Sequence, residues 1–416
     1  MGGCNCKKSL LNEFNLDTTK EPDNLVIEDK EGLIEQQQQK VKAFKTSLLS
    51  KFKNNIRNIG EYSSESEMNE KFPPKFMEYS IKYPYTEKYE GDFEKLIEQE
   101  PIKLQNGNYY WGCWNEDCSF EGPGKLLIPD KNVVVEGFWK KGNLFKARLF
   151  LPEGIYEGSI ENSIFNGQGK MIYNDGSVYE GDFKQGIREG NGVIIWPDGS
   201  KYWGEFKKDE INGEGEYAWV NGYTYKGGVQ SGIFQGQGYI KAPNGSSYNG
   251  QFHNGVYHGK GTFSWGNEHN NNNNNKSRQY GEKYTGEYNY GKREGKGKYF
   301  FENGDIFIGT FFDEEPHGEG EYETNTRIYK SFWRNGQNVE APIVVTKEFA
   351  NENEVNNEPL KTNLNFHLKK EDIDFKQLTH LHLDKVKSSY MTVSQGNLMV
   401  CEGITDMLLN ESLQNN

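Results

Sequence analysis

The amino-acid sequence predicts a mainly β fold: an elongated single-sheet array of repeated β-hairpins with short helical N- and C-terminal extensions. Three observations predict it. Glycine is abundant and concentrated, with 42 of 48 lying between Gly91 and Gly336. Aromatic residues recur every 23 positions, at Tyr156, Tyr179, Tyr202, Tyr225 and Tyr248, and after an insertion at Tyr284 and Phe307. Around those rings the side chains alternate with a period of two, which puts one face of a strand inside and the other outside.

Composition narrows the class. Hydrophobic residues make up only 34% of 416, while Tyr and Phe number 25 each, so rings carry much of the apolar content. That balance fits neither an α/β enzyme built on Val, Ile and Leu nor a disordered chain poor in aromatics. No run approaches the ~18 apolar residues of a membrane span. Five cysteines in so long a chain make no disulfide framework and suit a reducing compartment. The net charge is −13; residues 1–60 carry +2, which leaves −15 on the rest. An acidic body is poorly suited to phosphate backbones, so no nucleic-acid partner is expected.

Each unit has a physical reading. Tyr179, Gly181 and Phe183 share one face of a first strand, and Gly190, Gly192, Ile194 and Trp196 one face of a second. Asp175-Gly176, Asp198-Gly199, Asn221-Gly222, Asn244-Gly245 and Asn303-Gly304 are expected to supply two-residue turns with positive φ, and Gly186 and its equivalents the other reversal. A glycine between two aromatics leaves a notch for a ring from the neighbouring unit. Glu180, Asp182 and Lys184 occupy the opposite, solvated face. One hairpin cannot bury its aromatic face alone, so stability must come from stacking many.

The Tyr-x-Gly-x-Phe opening, the Gly-x-Gly pair and the Asp/Asn-Gly turn, at Tyr179, Gly181, Phe183, Gly190, Gly192, Asp198 and Gly199, resemble the MORN (membrane occupation and recognition nexus) repeat. The register assigns an array to residues 89–338, best formed over 156–322, with poorer copies from Tyr89, Tyr110 and Val135 and a partial one from Tyr329. Lys146 and Arg148 stand where the Val135 unit should have its Gly-x-Gly pair, so the sheet is expected to bend or end there. An asparagine-rich insertion, 267–279, reads as a disordered surface loop. The resemblance implies a meander coiled into an open sheet or groove, and roles at membrane–cytoskeleton junctions, basal bodies or cilia. The repeat aromatics Tyr156, Tyr179, Phe183, Trp196, Tyr202, Phe206, Trp219, Tyr225, Tyr248, Phe252, Trp265, Tyr284 and Phe307 are expected to form its protein-binding surface.

Residues 1–30 read as a lipidated, flexible N-terminus. Removal of Met1 exposes Gly2 for myristoylation, although Cys6 holds the sixth place where Ser or Thr is usual. Cys4 and Cys6 would then be palmitoylation targets. One myristoyl chain binds membranes only marginally, with K ~10⁴ M⁻¹, so palmitate together with Lys7 and Lys8 supplies the second signal. Within residues 31–60, Val41, Phe44, Leu48, Phe52, Ile56 and Ile59 recur at helical spacing beside Lys40, Lys42, Lys45, Lys51, Lys53 and Arg57. Such a basic amphipathic helix suits a membrane surface or a calmodulin-like partner; a helix capping the first hairpin is the alternative. Residues 61–88, Ser63–Asn69 included, read as an exposed linker.

The C-terminal extension, 339–416, is predicted to be partly helical, over Lys369–Ser388 and Leu398–Leu409. It is short for a kinase or methyltransferase domain, and neither a phosphate-binding GxxxxGK[ST] loop nor a kinase catalytic loop occurs. His258-Gly259 and His317-Gly318 occupy equivalent repeat positions and read as pattern residues. Cys113 and Cys118 lack a second ligand pair, His380 and His382 read as surface residues and Cys401 as a small packing residue. No nucleophile, base and orienting acid assemble, so neither an enzyme nor a cofactor is expected. The sequence therefore points to a scaffold at the cytoplasmic face of a membrane, linking unidentified cytoskeletal or ciliary proteins to it. Repeats that bind anionic phospholipids, or that regulate a lipid kinase in trans, are the alternatives. Imperfect end units would also permit a homodimer.

Overall fold

The computed structural model describes residues 59–89, 91, 96–266, 281–347, 361, 364, 368–370, 373 and 378. Gly2, Cys4, Cys6, Lys7, Lys8, the basic segment from Lys40 to Arg57, the insertion 267–279, and His380, His382 and Cys401 lie outside the described residues. The chain divides after Ile187 into two compact units, and each is an antiparallel meander of hairpins. In the first unit the strands are β1 (Gly60–Tyr62), β2 (Ile97–Glu98), β3 (Ile102–Leu104), β4 (Tyr109–Trp114), β5 (Phe120–Ile128), β6 (Val133–Lys140), β7 (Asn143–Leu151), β8 (Gly154–Glu161), β9 (Ile164–Tyr173) and β10 (Val178–Lys184). The second unit takes up β11 (Ile187–Ile195) and continues through β12 (Lys201–Lys207) and β13 (Glu210–Ala218) in the same rhythm to β24 (Ile343–Thr346).

The hairpin of β12 and β13 shows how the repeat works. Tyr202 faces Tyr217 and Gly204 faces Gly215; the ladder then shifts by two residues, and Phe206 faces Ile211, so that Asn212, Gly213 and Glu214 of β13 stand opposite Glu205 alone. The shift is a β-bulge on β13 that leaves Glu205 without a partner in that ladder, and the Tyr202 hydroxyl donates to the Glu205 carbonyl at 3.1 Å. To reach it the ring lies flat across the glycine pair. A β-carbon at Gly204 would come 2.6 Å from Gly215 Cα, and two units earlier one at Gly169 would meet the Tyr156 ring at 2.7 Å. The notch is thus filled by the unit's own tyrosine, not by a ring from its neighbour. The same bond, from a tyrosine to the carbonyl three residues on, recurs at Tyr110, Tyr156, Tyr179, Tyr225, Tyr248 and Tyr284. Neighbouring rings pack around that centre. Tyr225 stacks on Phe234 at 3.7 Å and receives Phe252 of the next hairpin edge-on at 5.5 Å.

The turns differ from expectation in a way the backbone explains. In Trp196-Pro197-Asp198-Gly199 the Gly199 N–H donates to the Trp196 carbonyl at 2.9 Å and only Gly199 has positive φ, +89°. Asp198 Oδ1 accepts from the Ser200 N–H at 3.0 Å. This is a type I turn closed by one left-handed glycine, not a two-residue reversal. The two-residue reversals lie at the opposite end, where both residues are left-handed, as at Ser231 and Gly232, with φ of +47° and +78°.

Those tight turns also stitch hairpin to hairpin. The N–H of the second turn residue donates to a carbonyl of the preceding hairpin: Gly186 to Phe165, Gly232 to Ile211, Gly255 to Phe234 and Gly291 to Tyr257, all within 2.8–3.0 Å. At two places the glycine is an acid and the residue beneath it an arginine. Asp209 donates its N–H to Arg188 and Glu314 to Arg293. Both arginines are buried. Arg188 Nε lies 3.3 Å from Asp209 Oδ1, and Arg293 Nε 2.8 Å from Glu314 Oε2. Arginine at one position accompanies an acid at the other, and an apolar residue accompanies glycine.

The poorer copies in the first unit are buried on both faces. Every residue of Val133–Trp139 is buried, because two helices, α1 (Glu65–Lys71) and α2 (Pro74–Lys82), cover the face that is solvated elsewhere. Met68, Phe72 and Phe76 pack there against Tyr109, Leu127, Val134 and Phe150. The segment read as a linker is therefore helical and docked. Ser64 caps α1 by accepting the Glu67 N–H at 3.1 Å, and Ser64-x-x-Glu67 is a capping-box sequence. Nor does the meander stop at Lys146 and Arg148: β7 pairs with both β6 and β8. The partner of Gly137 there is Ala147; with Val135 in place of a tyrosine, no ring crosses the pair and a methyl group fits. Arg148 stands on the covered face, 3.7 Å from Glu136 and ion-paired with Glu157, and its Nη1 donates to the Tyr83 carbonyl at 2.6 Å. It pins the end of α2 to the sheet. At the other end of the chain, the pairing of β24 with β22 (Arg327–Arg334) carries the sheet past residue 338.

Three outcomes are expected. Gly215→Ala should destabilise the protein by more than Tyr202→Phe, which loses one buried hydrogen bond worth ~1–3 kcal/mol; urea melts of the two variants rank them. Arg188→Ile alone leaves Asp209 buried without its cation and should cost ~3–5 kcal/mol. Adding Asp209→Gly recreates the Ile211–Gly232 arrangement and should restore most of that loss, and a double-mutant cycle without coupling would reject the pairing. Burial holds the Glu153 carboxyl above its ordinary range, and its Oε1 has no hydrogen-bond partner. Its folded pKa exceeds the unfolded one, so stability is full below about 4.3 and falls as pH rises through the folded value. Glu153→Gln should then raise the melting temperature at neutral pH and leave it nearly unchanged in acid.

Candidate binding surface

The thirteen repeat aromatics expected to form a binding surface are all buried, from 0% exposed at Tyr156 to 8% at Trp265. They are the core of the meander. A hairpin one sheet thick has no second layer, so the rings that look available in the sequence are consumed by one another. What a partner can meet is the fringe of that aromatic face and the polar face behind it.

On the polar face of the second unit, one residue per strand forms a row. Val193 faces Trp203, Trp203 faces Glu216, Glu216 faces Lys226 and Lys226 faces Tyr239. Glu216 and Lys226 pair at 2.6 Å, and Val193, Trp203 and Tyr239 are exposed. Farther along, Glu321 and Lys330 pair at 2.7 Å. Charges of both signs alternate here, and exposed pairs of this kind contribute little to stability.

The aromatic face changes character in the last two repeats of the second unit. Two residues before the opening ring, earlier units place uncharged Ser177, Ser200, Tyr223 and Ser246; the later ones place Glu282 and Asp305. Both carboxylates are buried, and each accepts a tyrosine hydroxyl, from Tyr299 and Tyr322 respectively. Desolvation and then the bond to Glu282 raise the Tyr299 phenol above its ordinary range, so it stays a donor.

Two lysines from the C-terminal extension complete these pairs. Lys361 Nζ lies 3.2 Å from Asp305 Oδ2 and 3.3 Å from the Tyr322 hydroxyl, over the Tyr322 ring. Lys369 Nζ lies 2.8 Å from Glu282 Oε2 and 2.9 Å from Glu302 Oε1, and these bonds hold its ammonium above the ordinary lysine range. Of the helix expected over Lys369–Ser388, the described residues Lys369, Lys370 and Ile373 are not helical and Leu378 is. Lys369 instead donates its N–H to the Tyr299 hydroxyl at 3.3 Å, and the Lys370 carbonyl accepts from Trp265 Nε1 at 3.2 Å. Reading the sequence missed Glu282, Asp305, Lys361 and Lys369. The signal was an acid where the earlier units keep an uncharged residue.

Beside this ground lies an open cavity of about 630 Å³ lined by Trp265, Glu282, Lys283, Phe300, Glu323 and Lys347 among others. Its charges are mixed and no histidine or cysteine lines it. Cys113 and Cys118 are buried thiols, and His258 and His317 sit at matching strand positions. Among the described residues, no group of three or more His, Cys, Asp or Glu is placed to hold a metal ion. No helix among them is long and apolar enough to cross a membrane.

Comparison with known proteins agrees with the repeat geometry. Among solved structures, the TCP domain of SAS-4 (dCPAP) of Drosophila melanogaster, in complex with a proline-rich motif of Ana2 (dSTIL), is 10% identical, with 44% of this chain and 90% of that chain covered and a TM-score of 0.24. A mutant TCP10 domain of Danio rerio CPAP is also 10% identical, with 56% and 94% covered and a TM-score of 0.18. Likenesses this loose carry no argument. No curated protein sequence matches the chain. The family model described as the MORN repeat matches residues 156–178, 179–201, 202–222, 248–269 and 284–306. The hairpin opened by Tyr225 falls between the matched segments yet has the same bulge and the same tyrosine bond. Five segments of the chain thus match the MORN repeat, set in a longer meander of the same design.

Proposed function

We propose that this protein is a non-enzymatic scaffold held at the cytoplasmic face of a membrane, where it links cytoskeletal or ciliary proteins to that membrane. The observation that carries the reading is the repeat array. Its aromatic side chains are spent on packing, so what it offers outward is an extended patterned surface, the property of a platform. The Gly2, Cys4 and Cys6 motif supports lipid attachment, and Lys40, Lys42, Lys45, Lys51, Lys53 and Arg57 support retention at an anionic leaflet, at ~1 kcal/mol per basic residue near the surface. The charge of −15 outside the first 60 residues weighs against the repeats themselves binding phospholipid head groups.

Fractionation in a eukaryotic cell tests the anchor. Gly2→Ala and Cys4→Ser/Cys6→Ser are each expected to move the protein from the membrane pellet to the supernatant. Unchanged membrane recovery of both variants would remove the lipid anchor from the account. Salt-sensitive binding of the unacylated chain to anionic vesicles, undiminished when the six basic residues are replaced, would favour phospholipid binding by the repeats.

A further inference from the structure

One stretch of the polar face in the second unit is built differently from the rest. There β19 (Lys292–Phe300), β20 (Ile306–Phe312) and β21 (Glu315–Glu323) lie side by side in the meander. Alternation points Ile306, Ile308, Thr310 and Phe312 of β20 away from the aromatic face. The three preceding repeats place Lys226, Asn249 and Thr285 where β20 has Ile308, and Gln230, His253 and Asn289 where it has Phe312. The apolar stripe is thus new at this strand, and Phe312 is 58% exposed. Its two flanks carry opposite charge. On one side Lys298 faces Ile308 and Lys296 faces Thr310; on the other Glu321 faces Ile308, and Glu319 is the next outward residue. Lys296, Lys298 and Glu319 are exposed. Glu321 is engaged by Lys330 at 2.7 Å, and Lys292 and Glu294, nearer the tight turns, are held by Asp313 and Asn289.

We infer that this stripe is the contact by which two copies of the chain pair face to face. A basic, an apolar and an acidic strand in that order complement themselves about a two-fold axis running along β20. The axis sets Ile308 and Phe312 against their own counterparts. It brings Lys298 over Glu321 of the second copy and Lys296 over Glu319, and symmetry makes each pair twice. A two-fold running across the strands would instead set lysine against lysine, so the charges select the arrangement with strands parallel, as aligned sheet packing also favours. Elsewhere on this face the charges have no such order: Glu216 and Lys226 stand on adjacent strands with no apolar strand between them. A contact three strands wide measures ~14 Å by ~24 Å at the spacings of a sheet. That is below the standard interface size, so the pairing is reversible and depends on charge. It rests neither on the membrane anchor nor on the partners proposed above.

The test uses the unacylated full chain in sedimentation velocity at up to ~100 μM, enough to fill a contact of micromolar Kd. The wild type is expected to dimerise, and to do so less at high salt. Lys296→Glu/Lys298→Glu and Glu319→Lys/Glu321→Lys should each be monomeric, because each sets like charges against like. Mixed in equal amounts, the two variants should form a heterodimer, since lysine then meets glutamate again at every pair. The fourfold reversal, which carries both sets of changes in one chain, should dimerise as the wild type does and covers the case in which one twofold variant fails to fold. Thermal melts show which variants are folded. A wild type that stays monomeric throughout would overturn the inference and leave the stripe to a different protein. A dimer retained by either folded twofold variant would place the contact elsewhere, and so would a mixture and a fourfold reversal that both stay monomeric.

Discussion

The structure depends on a tyrosine lying across two glycines. In an antiparallel pair of plain strands the Glu205 carbonyl would have a ladder partner; the bulge removes it, and the Tyr202 hydroxyl replaces it at 3.1 Å. The replacement is possible only where both facing residues lack a β-carbon, because the ring must pass directly over them. Tyrosine, glycine pair and bulge are therefore one device, and losing any part strands another. The Phe307 unit shows the limit. The ring still covers Gly309 and Gly320, but it has no hydroxyl, and Thr310, opposite the bulge, instead donates to the His317 carbonyl through its own side chain.

From this device follows the sidedness of the sheet. Rings from successive hairpins close over one another on one face, and the other face is left to charge. The first unit departs because Val134, Leu127 and Phe150 make that second face apolar too, and α1 and α2 cover it. Arg148 sits among these residues with two carboxylates and the Tyr83 carbonyl around it, a buried cation tolerated because every side of it is answered. The Arg188–Asp209 and Arg293–Glu314 pairs likewise set a carboxylate against a buried arginine at the hairpin ends.

Much of this was legible. Hairpin rhythm, strand faces and the position of the turns follow from a 23-residue period and from alternation. Less legible were features in which two distant positions must be read together. The owner of the ring in the notch cannot be told from spacing, since a neighbour's ring would obey the same period. The wide turns were taken for tight ones because Asp198-Gly199 suits both; Pro197 before it, which favours a type I turn, was the discriminating residue. The helices at 65–82 were announced by Ser64-x-x-Glu67 and by the four-residue spacing of Met68, Phe72 and Phe76, signals overshadowed by the surrounding polarity. Glu282 and Asp305 stood out only as acids where earlier units are uncharged, and their meaning needed Lys369 and Lys361, 87 and 56 positions away.

The stitch between hairpins gives each unit a direction. These tight turns hand their N–H back to a carbonyl made earlier in the chain, as Gly186 does to Phe165 and Gly232 to Ile211, so during synthesis the acceptor is already in place when the donor emerges. A hairpin at the growing end leaves behind at worst an idle oxygen, which water readily satisfies. One deprived of its predecessor keeps a left-handed turn with a homeless hydrogen, the harder debt to settle. Meanders built this way lengthen naturally at their C-terminal edge and resist being shortened from the other.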